Sequence, residues 1–218
     1  MKPHDTLPVC DPSTLALGPS ESCEAHGIVL AAGESSRYGA ENKLLVQVYG
    51  EPLVAHAVRT AVDSAVERVT VVVGYQAEAV RRAVERFDVE IRENEAFAAG
   101  QSTSLACGVD AARDSGADAV VVFLGDMPYV SAGTVDLLLE VFSGTDKDAV
   151  APAVDGKRGN PVVFDSVHFD ALADVDGDVG GRELLLERAD AIAVQSGDPG
   201  VLRDVDRPEH RTDSSSGE

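Results

Sequence analysis

The stretch GIVLAAGESSRYGAENK, residues 27–43, decides the fold class. It begins with an apolar run of strand length and continues as a polar loop with two glycines, an arginine and a lysine. Glycines let successive backbone N–H groups point into one concavity, which favours an anion. Arginine and lysine add full positive charge, and the arginine fork matches phosphate oxygens. The stretch therefore predicts a strand followed by a polyphosphate-binding loop, although an ordinary glycine-rich turn also fits these residues.

Two well-known phosphate-binding motifs are absent from this loop. A P-loop requires a lysine directly after its second glycine, whereas Ala40 follows Gly39 here. The dinucleotide fingerprint GxGxxG is missing as well. The candidate phosphate contacts are Gly33, Ser35, Ser36, Arg37, Gly39 and Lys43.

Downstream of the loop, strand and helix patterns alternate. Apolar or β-branched runs predict strands at 27–32, 69–73, 89–92, 119–124, 149–154, 161–164 and 191–195. Apolar stripes at helical spacing predict helices at 52–65, 76–87, 104–113, 134–142 and 180–189. Buried strands separated by amphipathic helices predict an α/β fold with three layers, in which a mostly parallel sheet is covered on both faces. Ligands bind such folds beyond the carboxyl ends of the strands.

Composition limits the function classes. The net charge of −20 is dispersed along the 218 residues, which argues against a nucleic-acid partner and resembles the acidic surfaces suited to high salt. No apolar run approaches the length that spans a membrane, and residues 1–26 do not have the pattern of a secretory signal. We therefore expect a cytoplasmic protein. We also expect a flexible leader at 1–26, one domain at 27–209 and a disordered tail at 210–218.

Six ordered motifs resemble those of one family. They are LAAGESSRYG followed by Lys43, GQSTSLACG at 100–108, GDMP at 125–128, RGNPVVF at 158–164, GDVGGR at 177–182 and VDRPE at 205–209. In this order they are similar to the motifs of the molybdenum-cofactor nucleotidyltransferases, and most closely to those of the molybdopterin cytidylyltransferases. Tyr38 stands where the family usually has Met, and Arg207 where it often has Thr.

The resemblance implies a Rossmann-like sheet of the nucleotidyltransferase (GT-A-like) type and a Mg²⁺-dependent reaction. That reaction transfers CMP from CTP to the terminal phosphate of molybdopterin and releases pyrophosphate. Arg37 would hold the β- and γ-phosphates, and Lys43 would meet the α-phosphate. Asp126, at the end of a central strand, would bind Mg²⁺. Asp178 would be the second metal ligand, with Asp176 as its near competitor, although Asp178 also fits a helix cap.

The remaining roles that the resemblance implies concern the base and the acceptor. The base would be read by Ala32, Asn94, Gly100, Gln101 and Ser102. Ser102 also fits a helix cap. The acceptor would contact Arg158, Asn160 and Arg182, of which Arg182 also fits a surface helix position.

Alternative functions share the fold and the first loop. They are a guanylyltransferase for the same cofactor, and a cytidylyl- or uridylyltransferase for a sugar or alcohol phosphate. Ala32 favours CTP over GTP, because the guanylyl branch resembles LAGG at this point. A nucleotide-binding chaperone without catalysis is disfavoured by the presence of Arg37, Lys43 and Asp126. We also expect transient contact with a molybdoenzyme or an insertion chaperone.

Overall fold

The computed structural model describes residues 7–19, 22–34, 42–174, 181–187 and 189–205. Within these residues one large sheet forms the centre of the molecule. Its strands are β1 (Val9–Cys10), β2 (Ala25–Ala31), β5 (Arg68–Val73), β6 (Glu90–Glu93), β7 (Ala119–Leu124), β8 (Ala149–Val154), β9 (Lys157–Arg158), β10 (Val162–Asp165) and β11 (Ala191–Gln195). A separate two-stranded sheet pairs β3 (Gln47–Val48) with β4 (Glu51–Pro52).

The strand order of the large sheet is β1-β11-β8-β10-β7-β2-β5-β6, and β9 pairs with β8. Strand β10 runs antiparallel to both of its neighbours, β7 and β8. The other strands along this order pair in parallel. The prediction of a mostly parallel sheet is therefore confirmed.

Helices cover both faces of the sheet. They are α1 (Leu53–Val62), α2 (Ala77–Val84), α3 (Gln101–Ser115), α4 (Ala132–Gly144), α5 (Phe169–Ala173) and α6 (Arg182–Glu187). Side chains of α1, α2 and α4 share one buried cluster, whereas those of α3, α5 and α6 share the other. No helix within the described ranges has both the length and the apolar character needed to traverse a bilayer.

The two-residue period of a strand explains the two clusters. On β2, Val29 belongs to the cluster of α1, whereas the next-door Ile28 belongs to that of α3. Gly108 on α3 lies directly over Ile28, and a Cβ atom there would collide with the Ile28 side chain. A glycine at this position therefore lets α3 approach the sheet closely.

The structure differs from the flexible leader that we predicted at 1–26. Val9 and Cys10 pair with β11 at one edge of the sheet. Farther on, Gly18 N donates to Gly144 O of α4 at 2.8 Å, and a Cβ on Gly144 would lie 3.0 Å from Cβ of Leu17. Backbone pairing and the partial burial of Leu7, Cys10 and Leu15 therefore hold residues 7–19 against the domain.

Candidate active site

The site is built at the carboxyl ends of β2 and β7, which lie side by side. Gly125 follows β7, and its N–H donates to Leu30 O of β2 at 3.0 Å. A Cβ on Gly125 would lie 2.9 Å from that carbonyl oxygen, closer than Cβ atoms come in real structures. The glycine of GDMP thus permits the close approach of two backbones, and the chain places Asp126 immediately beyond the end of both strands.

Asn42 positions Lys43 at this point. The Asn42 side chain is buried; its Oδ1 accepts from Leu44 N at 3.0 Å and its Nδ2 donates to Tyr75 O at 3.3 Å. Tyr75 N in turn donates to Ala32 O at 3.0 Å. These bonds tie the short 3₁₀ helix Lys43–Leu45 to the end of β2. We did not predict a role for Asn42, although an Asn two residues before a buried leucine is a signal for such a side-chain turn.

Lys43 and Asp126 form an ion pair across 83 residues of sequence. Lys43 Nζ lies 2.6 Å from Asp126 Oδ2, and the two side chains are 16% and 20% exposed. Asp126 O also accepts a hydrogen bond from Val205 N at 3.1 Å. The backbone just after Asp204 therefore lies against the turn that carries Asp126. The structure thus brings together two of the three predicted catalytic residues.

The residues present fit the Mg²⁺ that the resemblance implies. Mg²⁺ takes one or two protein carboxylates and completes its octahedron with phosphate oxygens and water. Asp126 supplies one carboxylate beside a lysine that neutralises it. Within the described ranges no set of three or more acidic, histidine or cysteine side chains is grouped to hold a metal. Mg²⁺ binding at Asp126 stays a prediction.

The residues predicted to contact the base lie near one another, but they differ in burial and in hydrogen bonding. Asn94 is buried; its Nδ2 donates to Thr103 Oγ1 at 2.8 Å and to Ser104 Oγ at 3.0 Å, and its Oδ1 accepts from Ala96 N. Its side chain thus joins the end of β6 to the start of α3. The role of Asn94 toward the base stays a prediction.

Helix α3 begins at Gln101, three residues earlier than we predicted. Gly100 precedes it with φ 121°, a backbone conformation that favours glycine, and no side chain caps the helix. Ser102 is therefore a buried residue of the first turn, so the capping role considered for it is wrong. At the end of β2, Ala32 is buried beneath Gly74, whereas no atom of the described residues would lie within 4 Å of a Cβ on Gly33.

Gln101 shares a pocket with all three predicted acceptor residues. The pocket has a volume of about 180 Å³ and is lined by Leu30, Gln101, Leu105, Val122, Leu124, Arg158, Asn160, Val162, Phe164, Gly181, Arg182 and Leu185. Burial lowers the pKa of Arg158, and the nearby charge of Arg182 lowers it further. Two cations therefore face one mostly apolar pocket.

Several predicted residues lie outside the described ranges. They are the loop residues Ser35, Ser36, Arg37 and Gly39, and the candidate metal ligands Asp176 and Asp178. Their roles stay predictions.

The fold and the site together define the class of protein, a nucleotide-handling α/β enzyme with its charges at the carboxyl ends of parallel strands. Residues 27–192 match the MobA-like NTP transferase domain, and the chain belongs to this family. It is accordingly a nucleotidyltransferase, as the motifs predicted.

The chain is also similar to individual relatives and to solved structures. The chain is 29% identical to the purine catabolism protein PucB of Bacillus subtilis, over 84% of this chain and 92% of the relative. It is 30% identical to the nicotine blue oxidoreductase of Paenarthrobacter nicotinovorans, with the same coverage of both chains. A nucleotidyl transferase from Methanothermobacter has the same fold, with a TM-score of 0.71 at 24% identity, over 84% of this chain and 92% of that one.

Proposed function

We propose that this nucleotidyltransferase transfers CMP from CTP to the terminal phosphate of molybdopterin and releases pyrophosphate. The observation that carries the proposal is the 2.6 Å pair of Lys43 and Asp126 at the junction of β2 and β7. A cation and a metal-binding carboxylate at this junction are what a triphosphate requires. The ordered motifs that resemble the cytidylyl branch supply the identity of the nucleotide and of the acceptor.

Nucleotidyl transfer needs alignment and charge neutralisation more than covalent help from the protein. Bound at Asp126, Mg²⁺ would neutralise charge on the phosphate oxygens. Lys43 would turn from the carboxylate to the α-phosphate, where negative charge grows in the transition state. Gly33, with open space around it, would let the backbone after β2 approach the triphosphate, and Arg37 would hold the leaving pyrophosphate.

The acceptor would enter from the other side of Asp126. Leu124 lines the 180 Å³ pocket and stands two residues before Asp126, so the pocket ends beside the reaction centre. Arg158 and Arg182 would bind the acceptor phosphate, and Asn160 would contact its amide-like groups. Such a position would direct an acceptor phosphate oxygen at the α-phosphorus of the nucleotide.

The experiment is to measure pyrophosphate release with each of the four common NTPs, with and without molybdopterin. We expect release only with both substrates, and CTP should exceed GTP in kcat/KM by at least tenfold, because a site that hydrogen-bonds one base edge rejects the other strongly. Equal use of CTP and GTP would disprove the cytidylyl assignment. Release with a sugar phosphate in place of molybdopterin would favour the alternative acceptor class.

One further arm addresses a different reaction class. Because one relative carries the name of an oxidoreductase, NADH and NADPH oxidation should be measured with the same preparations. We expect none. Nucleotide binding without turnover in either assay would instead support a non-catalytic chaperone.

A further inference from the structure

The motifs assign no role to one segment that lies against the candidate active site. Residues 198–205, which we call the strap, follow β11 in the chain. Val205 N of the strap donates to Asp126 O at 3.1 Å. Val201 O of the strap accepts from Asn160 N at 3.0 Å. The strap thus contacts both the turn that carries the proposed metal ligand and the loop that carries a proposed acceptor contact.

Two glycines bring the strap into close backbone contact with these segments. A Cβ on Gly200 of the strap would collide with Tyr129 O, just beyond the GDMP turn. A Cβ on Gly159, next to Asn160, would collide with Val201 O. Because neither position accepts a side chain unless the backbone moves, the place of the strap and the places of both segments depend on each other.

Asp198 fixes the start of the strap to α4. Its Oδ2 accepts from Ser131 N at 2.9 Å and from Thr134 Oγ1 at 2.7 Å, and its Oδ1 accepts from Gly200 N at 2.8 Å. Burial raises the pKa of this carboxyl group, but the hydrogen bonds outweigh burial and leave the pKa below its ordinary value. Asp198 is therefore a carboxylate at neutral pH, and in this form both of its oxygens accept hydrogen bonds.

We propose that Asp198 is a positioning residue, which through the strap holds Asp126 and Asn160 in fixed places relative to each other. Its importance for turnover rests on the proposed function, in which Asp126 binds the metal and Asn160 contacts the acceptor. The turn of Asp126 leads into α4, and Asp198 ties the strap to the first turn of that same helix. A misplacement of reacting groups by about 1 Å can cost about a hundredfold in rate, so loosening of the strap should be visible in the kinetics.

The first measurement is backbone amide hydrogen exchange of the full chain by NMR, without nucleotide or metal. In Asp198→Ala the amides of Asn160 and Val205 should exchange at least about tenfold faster than in the wild type, because three hydrogen bonds to a carboxylate are lost. The amide of Val121, in the middle of β7, reports any loss of global stability and should accelerate less. Unchanged exchange at Asn160 and Val205, or equal acceleration at all three amides, would overturn the proposal.

The second measurement is pyrophosphate release with CTP and molybdopterin. Asp198→Ala should lower kcat about 10- to 100-fold and raise KM for molybdopterin, while KM for CTP changes less. A purely structural role would lower the melting temperature but leave kcat per folded molecule and both KM values as in the wild type, which would overturn the proposal. Asp198→Asn keeps the shape and one acceptor oxygen. It should show the same pattern with smaller changes, and it decides the question if Asp198→Ala does not fold.

Two further variants locate the effect. Gly200→Ala displaces the strap from Tyr129 while Asp198 stays in place, so it should also lower kcat; an unchanged kcat would overturn the strap as the connection. Asp165→Ala is the matched control, because Asp165 likewise accepts from the backbone of a 3₁₀ helix, from Val167 N at 2.8 Å, at the opposite end of the strands. It should leave kcat and both KM values unchanged, and an equal loss of kcat in this control would contradict a role specific to Asp198.

The outcomes separate this inference from the proposed function. If exchange at Asn160 and Val205 responds to Asp198 and the wild type transfers no nucleotide to molybdopterin, the proposed function fails and the positioning assignment stands. If CMP transfer occurs and the Asp198 variants have the exchange rates and kinetics of the wild type, this inference alone fails.

Discussion

The reaction centre and the adjoining pocket treat charge in opposite ways. At the centre, Lys43 and Asp126 neutralise each other at 2.6 Å, held by Asn42 on one side and by the Gly125 turn on the other. In the pocket, Arg158 and Arg182 have no carboxylate partner among the described residues. A metal-bound triphosphate would have to separate Lys43 from Asp126. An anion would bind between Arg158 and Arg182 without breaking an ion pair among the described residues.

This difference teaches what each region contributes. A neutralised ion pair attracts a charged substrate little until its two partners separate. Its charges therefore contribute mainly to the transition state. An uncompensated pair attracts an anion from the start, so its charges act on binding. We therefore expect substitutions at the centre to lower kcat and those in the pocket to raise KM for the acceptor.

The largest effect is expected from Asp126→Asn. The amide keeps the shape and can still contact Lys43, but it lacks the charge that would hold Mg²⁺. Pyrophosphate release should fall by about a factor of 10³, while thermal unfolding should change little because the side chain is partly exposed. Asp190→Asn is the control, since Asp190 pairs with Lys147 at 2.8 Å on the surface. Wild-type rates of Asp126→Asn at saturating Mg²⁺ would disprove the metal role.

Lys43→Ala should have the next largest effect. Lys43 is proposed to meet charge that grows at the α-phosphate, so its loss should lower kcat roughly 30- to 1000-fold with a smaller change of KM for CTP. Steady-state kinetics of Lys147→Ala provide the control, because the ion pair of Lys147 with Asp190 is more exposed than that of Lys43 with Asp126. An increase of KM without loss of kcat would show that Lys43 acts in binding, which would break the contrast between the two regions.

Salt should distinguish the two arginines of the pocket. Arg182 is exposed, whereas Arg158 is half-buried and therefore less screened. In 0.1 M salt we expect each Arg→Gln substitution to lower the affinity for a phosphate monoester such as 1-naphthyl phosphate about tenfold. In 1 M salt, where the screening length is about 3 Å, the effect at Arg182 should shrink to about twofold and that at Arg158 should persist. Equal salt sensitivity would show that the two charges are equally exposed to solvent.

The smallest expected effect is the pH dependence of stability that His26 causes. Here the fold disfavours a charge instead of pairing it or leaving it unpaired. The ring is buried, with Nε2 2.8 Å from Thr70 Oγ1 and Nδ1 2.9 Å from Ser115 Oγ. Burial lowers the pKa of His26, so the folded state disfavours the charged form. The free energy of unfolding should therefore be highest above the unfolded pKa of about 6.5 and should decrease as the pH drops below that value, because the unfolded state then binds a proton that the folded state disfavours.

Chemical denaturation between pH 5 and pH 8 measures this effect, and His26→Gln should reduce its slope. A stability that is flat across this range would contradict the prediction. The result also matters for the comparison of the two regions, because binding to the pocket should be measured above the pH at which the fold begins to weaken.

The sequence predicted some elements to the residue and missed others for identifiable reasons. Strands at 119–124, 149–154 and 191–195 agree with the structure because each is a continuous apolar run bounded by polar residues. The reversed direction of β10 was not predicted, since a strand buried on both faces has the same apolar pattern in either direction. The pairing of Val9–Cys10 was not predicted either, because two residues have no period.

The candidate site was predicted from ordered motifs, not from local pattern. Nothing in the separate residues 43 and 126 indicates contact; the crossover connections of the sheet bring them to 2.6 Å. Asn42 was missed because its two hydrogen bonds depend on Tyr75, a residue 33 positions away. The apolar floor of the pocket was also missed, since its side chains come from five elements and read individually as ordinary core.

The reversed direction of β10 determines where the proposed acceptor contacts lie along the chain. Because Val162 of β10 pairs with Val122 of β7, the start of β10 and the short strand β9 reach the edge where β7 ends. The proposed acceptor contacts Arg158, Asn160 and Arg182 therefore all follow Asp126 in the chain, although Leu30, Gln101 and Leu105 from before it also line their pocket. Exchange of residues 155–182 should accordingly alter the polar contacts to the acceptor while the ion pair of Lys43 and Asp126 stays intact.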